Sequence, residues 1–325
     1  MPPAPIGPTL ELLAAAPATL AARAAAFAVH DAGRRSAADG FSVIQQAWHL
    51  ADVEERAFGV RIRRLRDEDR PALQDFDGAA AAVAGRYGSR TLKDGIAAFA
   101  RARATNLEAL SALDAPGWRR PGQQDGVGAV TLADIPRLLA EHDAAHALEL
   151  DALRAGFIGE VLAATPARPA AELEGFGPDA LRRPPLETPS DAERLSPIGH
   201  ASHLRDIELE GYHVRIRRLR AEDAPRLESL PGDRMAIERR YDTDSVSGVL
   251  GAFAAASTQT VATLNAVAAE EWTRAGQFDA YGPVTLLGLI EIIAGHDAAH
   301  LRALKALPHG TKRAILLPID SNKRL

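Results

Sequence analysis

The chain has 325 residues, enough for two ordinary domains, and its apolar and charged fractions are typical of a soluble globular protein. A net charge of −5 argues against a general binder of nucleic acid or anionic membranes. The absence of cysteine excludes disulfides, cysteine-bound zinc and a cysteine nucleophile, and it fits a reducing compartment, so we expect a cytoplasmic protein. The alanine-rich N-terminus lacks a basic start and is interrupted by Glu11, Pro17 and Arg23, which predicts a helix rather than a signal peptide or a membrane span.

Helices are predicted along the whole chain, because the long segments are rich in alanine, leucine, arginine and glutamate and contain few alternating β-branched runs. In chain order the first half gives four predicted helices: 10–29, 42–66, 92–113 and 132–154. The second half gives a weaker segment broken by three prolines, followed by three helices: 157–181, 196–219, 245–268 and 286–306. Residues 116–130 and 277–284 are predicted to be loops. The expected N-caps include Ser196 before Pro197, and Thr131 with Asp134 as a capping box.

The two halves are copies of one unit. When the sequence is shifted by 154 residues, "HLADVE" (49–54) falls on "HLRDIE" (203–208), and "VRIRRLR" (60–66) falls on an identical run at 214–220. Between residues 41–66 and 195–220, 14 of 26 positions match. This pattern predicts an internal duplication of a domain-sized unit, with a first domain at 1–156 and a second at 157–325 that ends in a C-terminal tail.

Histidines stand out in both copies. His142 and His146 are four residues apart on a predicted helix, as are His296 and His300, and this spacing lets two imidazoles reach one metal ion. The histidine of the "HLxDxE" block, His49 or His203, is the third candidate in each copy. The alternative is that these are ordinary core histidines, and spacing alone does not decide between the two interpretations.

The order of these motifs resembles the DinB/YfiT-like superfamily of metalloenzymes. The resemblance covers nearly the whole chain, twice, and is strongest in "SPIGHASHLRDIE" and "YGPVTLLGLIEIIAGHDAAHL". Copy one departs from it at 127–130, which read "VGAV" instead of "YGPV", and at Ala147, where a larger apolar residue is usual. The resemblance implies an all-α protein of two tandem four-helix bundles (up-down-down-up), each with a metal site between its second and fourth helices. The implied ligands are His49, His142 and His146 in copy one, and His203, His296 and His300 in copy two.

Three imidazoles leave a coordination position open, which is typical of a catalytic site. The resemblance therefore implies a metal-dependent hydrolase or a transferase that uses a low-molecular-weight thiol, acting on a small molecule. The alternative is a non-enzymatic metal-binding or stress-associated protein. Zinc is the first expectation, with nickel, iron or manganese as alternatives and up to two ions per chain. Family members commonly pair, so we expect the copies to pack as an intrachain pseudo-dimer, with further oligomerisation left open and no nucleic-acid or membrane partner.

Three further features each carry two interpretations. Asp52 and Asp206 could orient a ligand imidazole or form a salt bridge within the helix. The "VRIRRLR" runs could bind an anion or form a solvated face. His200, which replaces Gln46 of copy one, could line the second pocket or face solvent. Trp118 and Trp272 are predicted to be core residues.

Overall fold

The structure is a computed structural model that describes residues 6–35, 40–185 and 194–307. It divides into two compact units, Met1–Arg154 and Ala155–Leu325. The predicted C-terminal tail lies outside the described residues. Among the described helices, none combines the length and the apolar character needed to cross a membrane.

Unit 1 is a bundle of four long helical segments. The helices are α1 (Gly7–Ala25), α2 (Val43–Asp52) continued by α3 (Gly59–Asp67), the short α4 (Gly78–Ala84), α5 (Leu92–Ser111), the short α6 (Ala115–Trp118) and α7 (Ile135–Ala164). Three of the starts are fixed by side chains that accept a hydrogen bond from the first helical turn: Ser42, Thr91 and Asp77. The predicted capping box of Thr131 and Asp134 is confirmed. The four-helix bundle is therefore confirmed, with differences of a few residues at most helix ends and a longer extension at the end of α7.

The second helical segment contains a π-helical turn that the sequence did not predict. Val53–Phe58 forms this turn between α2 and α3, and it begins within the 49–54 block that carries His49. Such turns are frequent at functional sites. The spacing of apolar residues indicates which face of a helix is buried. It does not reveal a turn that is widened by one residue, as a π-helical turn is.

The loops of unit 1 contain a small sheet. β1 (Ala72–Leu73) pairs in parallel with β2 (Pro121–Gln124), which pairs antiparallel with β3 (Gly128–Thr131). The prediction of a loop at 116–130 was therefore wrong where β2, β3 and the short α6 lie. The strands are rich in glycine and glutamine, which are not strand formers, so propensity gave no signal. The turn depends on Gly126 and Gly128, whose φ values of +74° and +101° suit glycine.

Arginines of the first "VRIRRLR" run join the end of α3 to this sheet. The guanidinium of Arg64 donates to the backbone oxygen of Ala72 at 2.7 Å and pairs with Glu68. Arg120, from the hairpin, donates to the backbone oxygen of Leu65 at 2.6 Å. In unit 2 Arg218 makes the same bonds to Arg226 and Glu222. These contacts give Arg64 and Arg218 a structural role, and the anion-site interpretation of the runs stays a prediction.

Unit 2 repeats the plan with a shorter first helix. Its helices are α8 (Ala167–Leu173), α9 (Pro178–Arg182), α10 (Pro197–Asp206) continued by α11 (His213–Ala221), α12 (Gly232–Glu238), α13 (Val246–Asn265) and α14 (Leu286–Ala306). A π-helical turn, Ile207–Tyr212, again joins the halves of the second segment. Helix α7 runs past the predicted boundary near Gly156 to Ala164, and the predicted segment 157–181 is broken as its prolines suggested. The predicted cap of Ser196 before Pro197 is confirmed.

A second sheet occupies the equivalent loops of unit 2. β4 (Arg226–Leu227) pairs in parallel with β5 (Ala275–Phe278), which pairs antiparallel with β6 (Gly282–Thr285). The loop predicted at 277–284 is therefore also a hairpin for most of its length. Trp118 and Trp272 are buried in their units, as predicted.

Candidate metal centre

The structure brings the six candidate histidines together as two clusters of three. In unit 1 His49 on α2 meets His142 and His146 on α7, and one ring nitrogen from each lies within 4.8 Å of the others. The ring centroids are 4.5 to 5.5 Å apart. In unit 2 His203 on α10 meets His296 and His300 on α14, with centroids 4.4 to 5.3 Å apart.

The clusters suit a divalent metal ion chemically. His49 and His142 bury their Nδ1 atoms without a hydrogen bond among the described residues. In unit 2 the Nε2 atoms of His203 and His296 face each other at 3.2 Å. Two imidazole nitrogens pointing at one place gain little from each other, whereas both can donate a lone pair to a cation.

Four of the cluster histidines are also held in the neutral form that binds metals. Desolvation by burial, followed by the proximity of His146, lowers the pKa of His49 to about 4. Desolvation and the same neighbour lower the pKa of His142 to about 3. In unit 2 desolvation and His296 lower the pKa of His203 to about 3 and place that of His300 far below its usual value. These four imidazoles are therefore neutral at physiological pH and need lose no proton to coordinate an ion.

In unit 1, a carboxylate and an amide orient His146. Its Nδ1 lies 3.0 Å from Glu149 Oε2 and in contact with Gln46 Oε1, both of which are acceptors. The ring must therefore carry its proton on Nδ1, which leaves the Nε2 lone pair for a metal. Gln46 Nε2 donates to the same Glu149 oxygen at 2.7 Å. Hydrogen bonds from His146 and then Gln46 lower the pKa of Glu149 to about 2, so it stays ionised.

Unit 2 replaces this support by a fourth histidine. His200 occupies the position of Gln46, and its Nδ1 lies 2.9 Å from Nδ1 of His300. Burial lowers the pKa of His200 to about 4, so the ring is neutral and can accept a hydrogen bond. His200 lines the second cluster, and the solvent-facing alternative is wrong. The position of Glu149 is taken by Ala303, so the two units support their last histidine with different chemistry.

The backbone at the start of α4 approaches the imidazole of His49 closely. A Cβ added to Gly78, the first residue of α4, would lie 2.5 Å from Cε1 of His49. The glycine therefore allows α4 to pack directly on the imidazole. An aromatic ring closes each cluster from another side: Phe58 lies 6.2 Å from His142, and Tyr212 lies 5.7 Å from His296.

A buried ion network lies behind the first cluster and is different in unit 2. The Arg103 guanidinium donates to Asp143 at 2.8 and 3.1 Å, to Glu54 at 2.9 Å and to the backbone oxygen of Leu13 at 2.9 Å. Asp143 directly follows His142, so the network braces the ligand helix.

In unit 2 the arginine is replaced by Ser257, while the two carboxyls are retained as Glu208 and Asp297. Burial is the main cause that raises the pKa of Glu208 to about 7, and burial also raises that of Asp297.

Asp52 and Asp206 contact tyrosines and arginines. Asp52 accepts from Tyr87 Oη at 2.5 Å and from Arg56 at 2.7 Å. Asp206 accepts from Tyr241 Oη at 2.8 Å and also from Arg205 and Arg239. The ion-pair interpretation therefore describes both carboxylates, and the tyrosine partner of each was not anticipated.

Sequence reasoning missed Glu149, Arg103 and Glu54 as parts of the site. Glu149 could have been found, because it lies three residues after His146 on the same face of a helix. Glu54 recurs as Glu208 in the repeated block that carries the histidine. Arg103 gave no such signal, since its counterpart is a serine.

The chain is thus a tandem of helical bundles, each with three converging imidazoles at its second and fourth long helices. The family model of the DinB superfamily matches residues 12–150 and 162–304, and the chain belongs to this superfamily. A similar solved structure is described as YfiT from Bacillus subtilis, a probable metal-dependent hydrolase with an unusual four-helix bundle topology. It shares 18% identity, covers 44% of this chain and 81% of its own, and has a TM-score of 0.41. No curated protein matches the chain.

Proposed function

We propose that each unit binds one divalent metal ion through its three histidines and that the chain is a metal-dependent hydrolase or thiol-dependent transferase acting on a small molecule. The observation that carries the proposal is the convergence of three buried or half-buried imidazoles in both units, with one ring nitrogen of each within 4.8 Å of the others. Membership of the DinB superfamily supports it.

The ligand set is His49, His142 and His146 in unit 1, and His203, His296 and His300 in unit 2. Zinc is the first candidate, because imidazole suits it and no redox chemistry is needed, with nickel, iron and manganese as alternatives. A divalent ion bound by three protein ligands supplies a Lewis acid with an open position, at which water or a small thiol becomes a nucleophile at neutral pH.

The residues around the ligands fit this role. Glu149 and Gln46 fix the tautomer and the orientation of His146, which strengthens a histidine as a metal ligand. Phe58 and Tyr212 cover one side of the clusters and limit the access of bulk water. In unit 2 the buried carboxyl of Glu208, with its pKa raised to about 7, can hold a proton at neutral pH.

Absorption spectroscopy of the cobalt-substituted protein, read beside turnover, tests the proposal. Adding 2-mercaptoethanol at millimolar concentration should produce a strong near-ultraviolet charge-transfer band if a thiolate reaches the ion, which favours the transferase. Ester or amide hydrolysis that requires the metal and is inhibited by the thiol would favour the hydrolase. A protein that binds cobalt but shows neither band nor turnover across a broad ester and amide panel would contradict the enzymatic proposal, and non-enzymatic metal binding would replace it.

A further inference from the structure

Unit 1 contains an apolar cleft that reaches one of its candidate metal ligands. The cleft lies between α1 and α7 and has a volume of about 240 Å³. Its floor is formed by buried apolar side chains: Leu13, Leu20, Leu50, Phe99 and Leu150. His146 forms part of its wall, so the cleft and the histidine cluster share a side chain.

The cleft exists beside a residue at which the two units differ. Its wall on α7 includes Ala140, Ala144 and Ala147. The first two are also alanine in unit 2, at positions 294 and 298, but the counterpart of Ala147 is Leu301, whose side chain is buried. Leu50, Phe99 and Leu150 have identical counterparts as well. On the α2, α5 and α7 walls, residue 147 is therefore the lining position at which the two units differ, and unit 2 has the larger side chain there.

The first helix contributes the remaining difference. In unit 1 the long α1 provides one side of the cleft, with Leu12 exposed at its edge. In unit 2 the short α8 takes the place of α1, and its Leu173 packs in one cluster with Leu304, the counterpart of Leu150. Leu150 thus lines a cleft in unit 1, whereas its counterpart Leu304 packs against Leu173 in unit 2.

The size and lining of the cleft indicate what it binds. An apolar cavity of about 150 Å³ accepts benzene, so a mostly apolar cleft of about 240 Å³ suits a group of bicyclic size. Arg23 and Asp143 also line the cleft, but Arg23 is paired with Asp151 at 3.0 Å and Asp143 with Arg103 at 2.8 Å, so each is a weak attractant for a charged ligand. The lining therefore favours a neutral aryl or branched alkyl group.

We propose that this cleft binds a neutral apolar group of the substrate, of about bicyclic aromatic size, and places it against His146 in unit 1. The assignment to a substrate rests on the proposed function, whereas the binding of an apolar group does not. Unit 2, with Leu301 at the equivalent position, does not bind that group, so the two units take different substrates or only unit 1 takes this one.

The test is a fluorescence titration of the full chain with the neutral dye N-phenyl-1-naphthylamine. The wild-type protein should bind about one equivalent, and Ala147→Leu, which introduces the side chain of unit 2, should weaken binding at least about tenfold by filling the cleft. Ala145→Leu is the matched control, because Ala145 lies on the same helix, is exposed and does not line the cleft. It should bind as the wild type does.

Equal binding by the wild type and Ala147→Leu would overturn the proposal, as would no binding by the wild type or an equal loss in Ala145→Leu. Each titration is run with and without prior chelator treatment, and the metal content of each sample is measured. A chain that never binds metal but shows the expected dye pattern would leave the apolar site standing and remove only the proposed function. Metal binding without the dye pattern would remove the apolar site and leave the proposed function standing.

Discussion

Replacing Arg103 by alanine should destabilise unit 1 strongly. The guanidinium is almost completely buried and donates to two carboxylates and to one backbone oxygen. Its removal leaves the fully buried Glu54 and the largely buried Asp143 without the cation that they share. Breaking a buried ion pair by deleting one partner costs about 3–5 kcal/mol, because the remaining charges stay desolvated.

The thermal midpoint of the unit 1 transition gives the measurement. For a domain of this size, 1 kcal/mol corresponds to roughly 2–4 °C, so the expected drop at pH 7.5 is roughly 6–20 °C. Arg101→Ala is the matched control, since Arg101 is exposed on the same helix and should change stability by less than about 0.5 kcal/mol. A drop of less than about 3 °C for Arg103→Ala would refute the reasoning, because it would mean that the carboxylates do not depend on the arginine.

Three further predictions concern the charges and ligands of the clusters. Burial raises the pKa of Glu208 from 4.5 to about 7. In metal-free protein the free energy of unfolding should therefore fall by about 3 kcal/mol as the pH rises from 4.5 to 7, because the folded state holds this proton more tightly than the unfolded state. Glu208→Gln should therefore raise the thermal midpoint at pH 8 but not at pH 4, and equal shifts would contradict this. His146→Ala and His300→Ala should each retain about one ion per chain by elemental analysis, instead of two. Glu149→Ala should weaken metal binding in unit 1 by about 10–100-fold in calorimetry, whereas the exposed Glu141→Ala should not.

The helices and the histidine clusters could be predicted from the sequence because both depend on local patterns of residues. The abundance of helix-forming residues gave the long helices, and the i,i+4 spacing placed His142 with His146 on one face. The repeat of 154 residues supported equivalent elements in both halves. The pairing of the units as a pseudo-dimer stays a prediction.

The features that sequence reasoning did not predict depend on contacts between distant segments. The pairing of β1 with β2 joins residues about fifty positions apart and uses glycine and glutamine, so no local pattern predicted it. The exchange of Arg103 for Ser257 is visible in the sequence, but its meaning follows only once Glu54 and Asp143 are seen to meet it. The same holds for Ala147, a departure that could be read but whose cleft required α1 to be in place.

Anomalous diffraction at the zinc edge, from crystals of tag-free protein grown with zinc, tests the central proposal most directly. Two peaks per chain are predicted, each about 2.0–2.1 Å from three imidazole nitrogens. One should lie among His49, His142 and His146, and the other among His203, His296 and His300. Peaks at other positions only, or no peak in either cluster, would contradict the account.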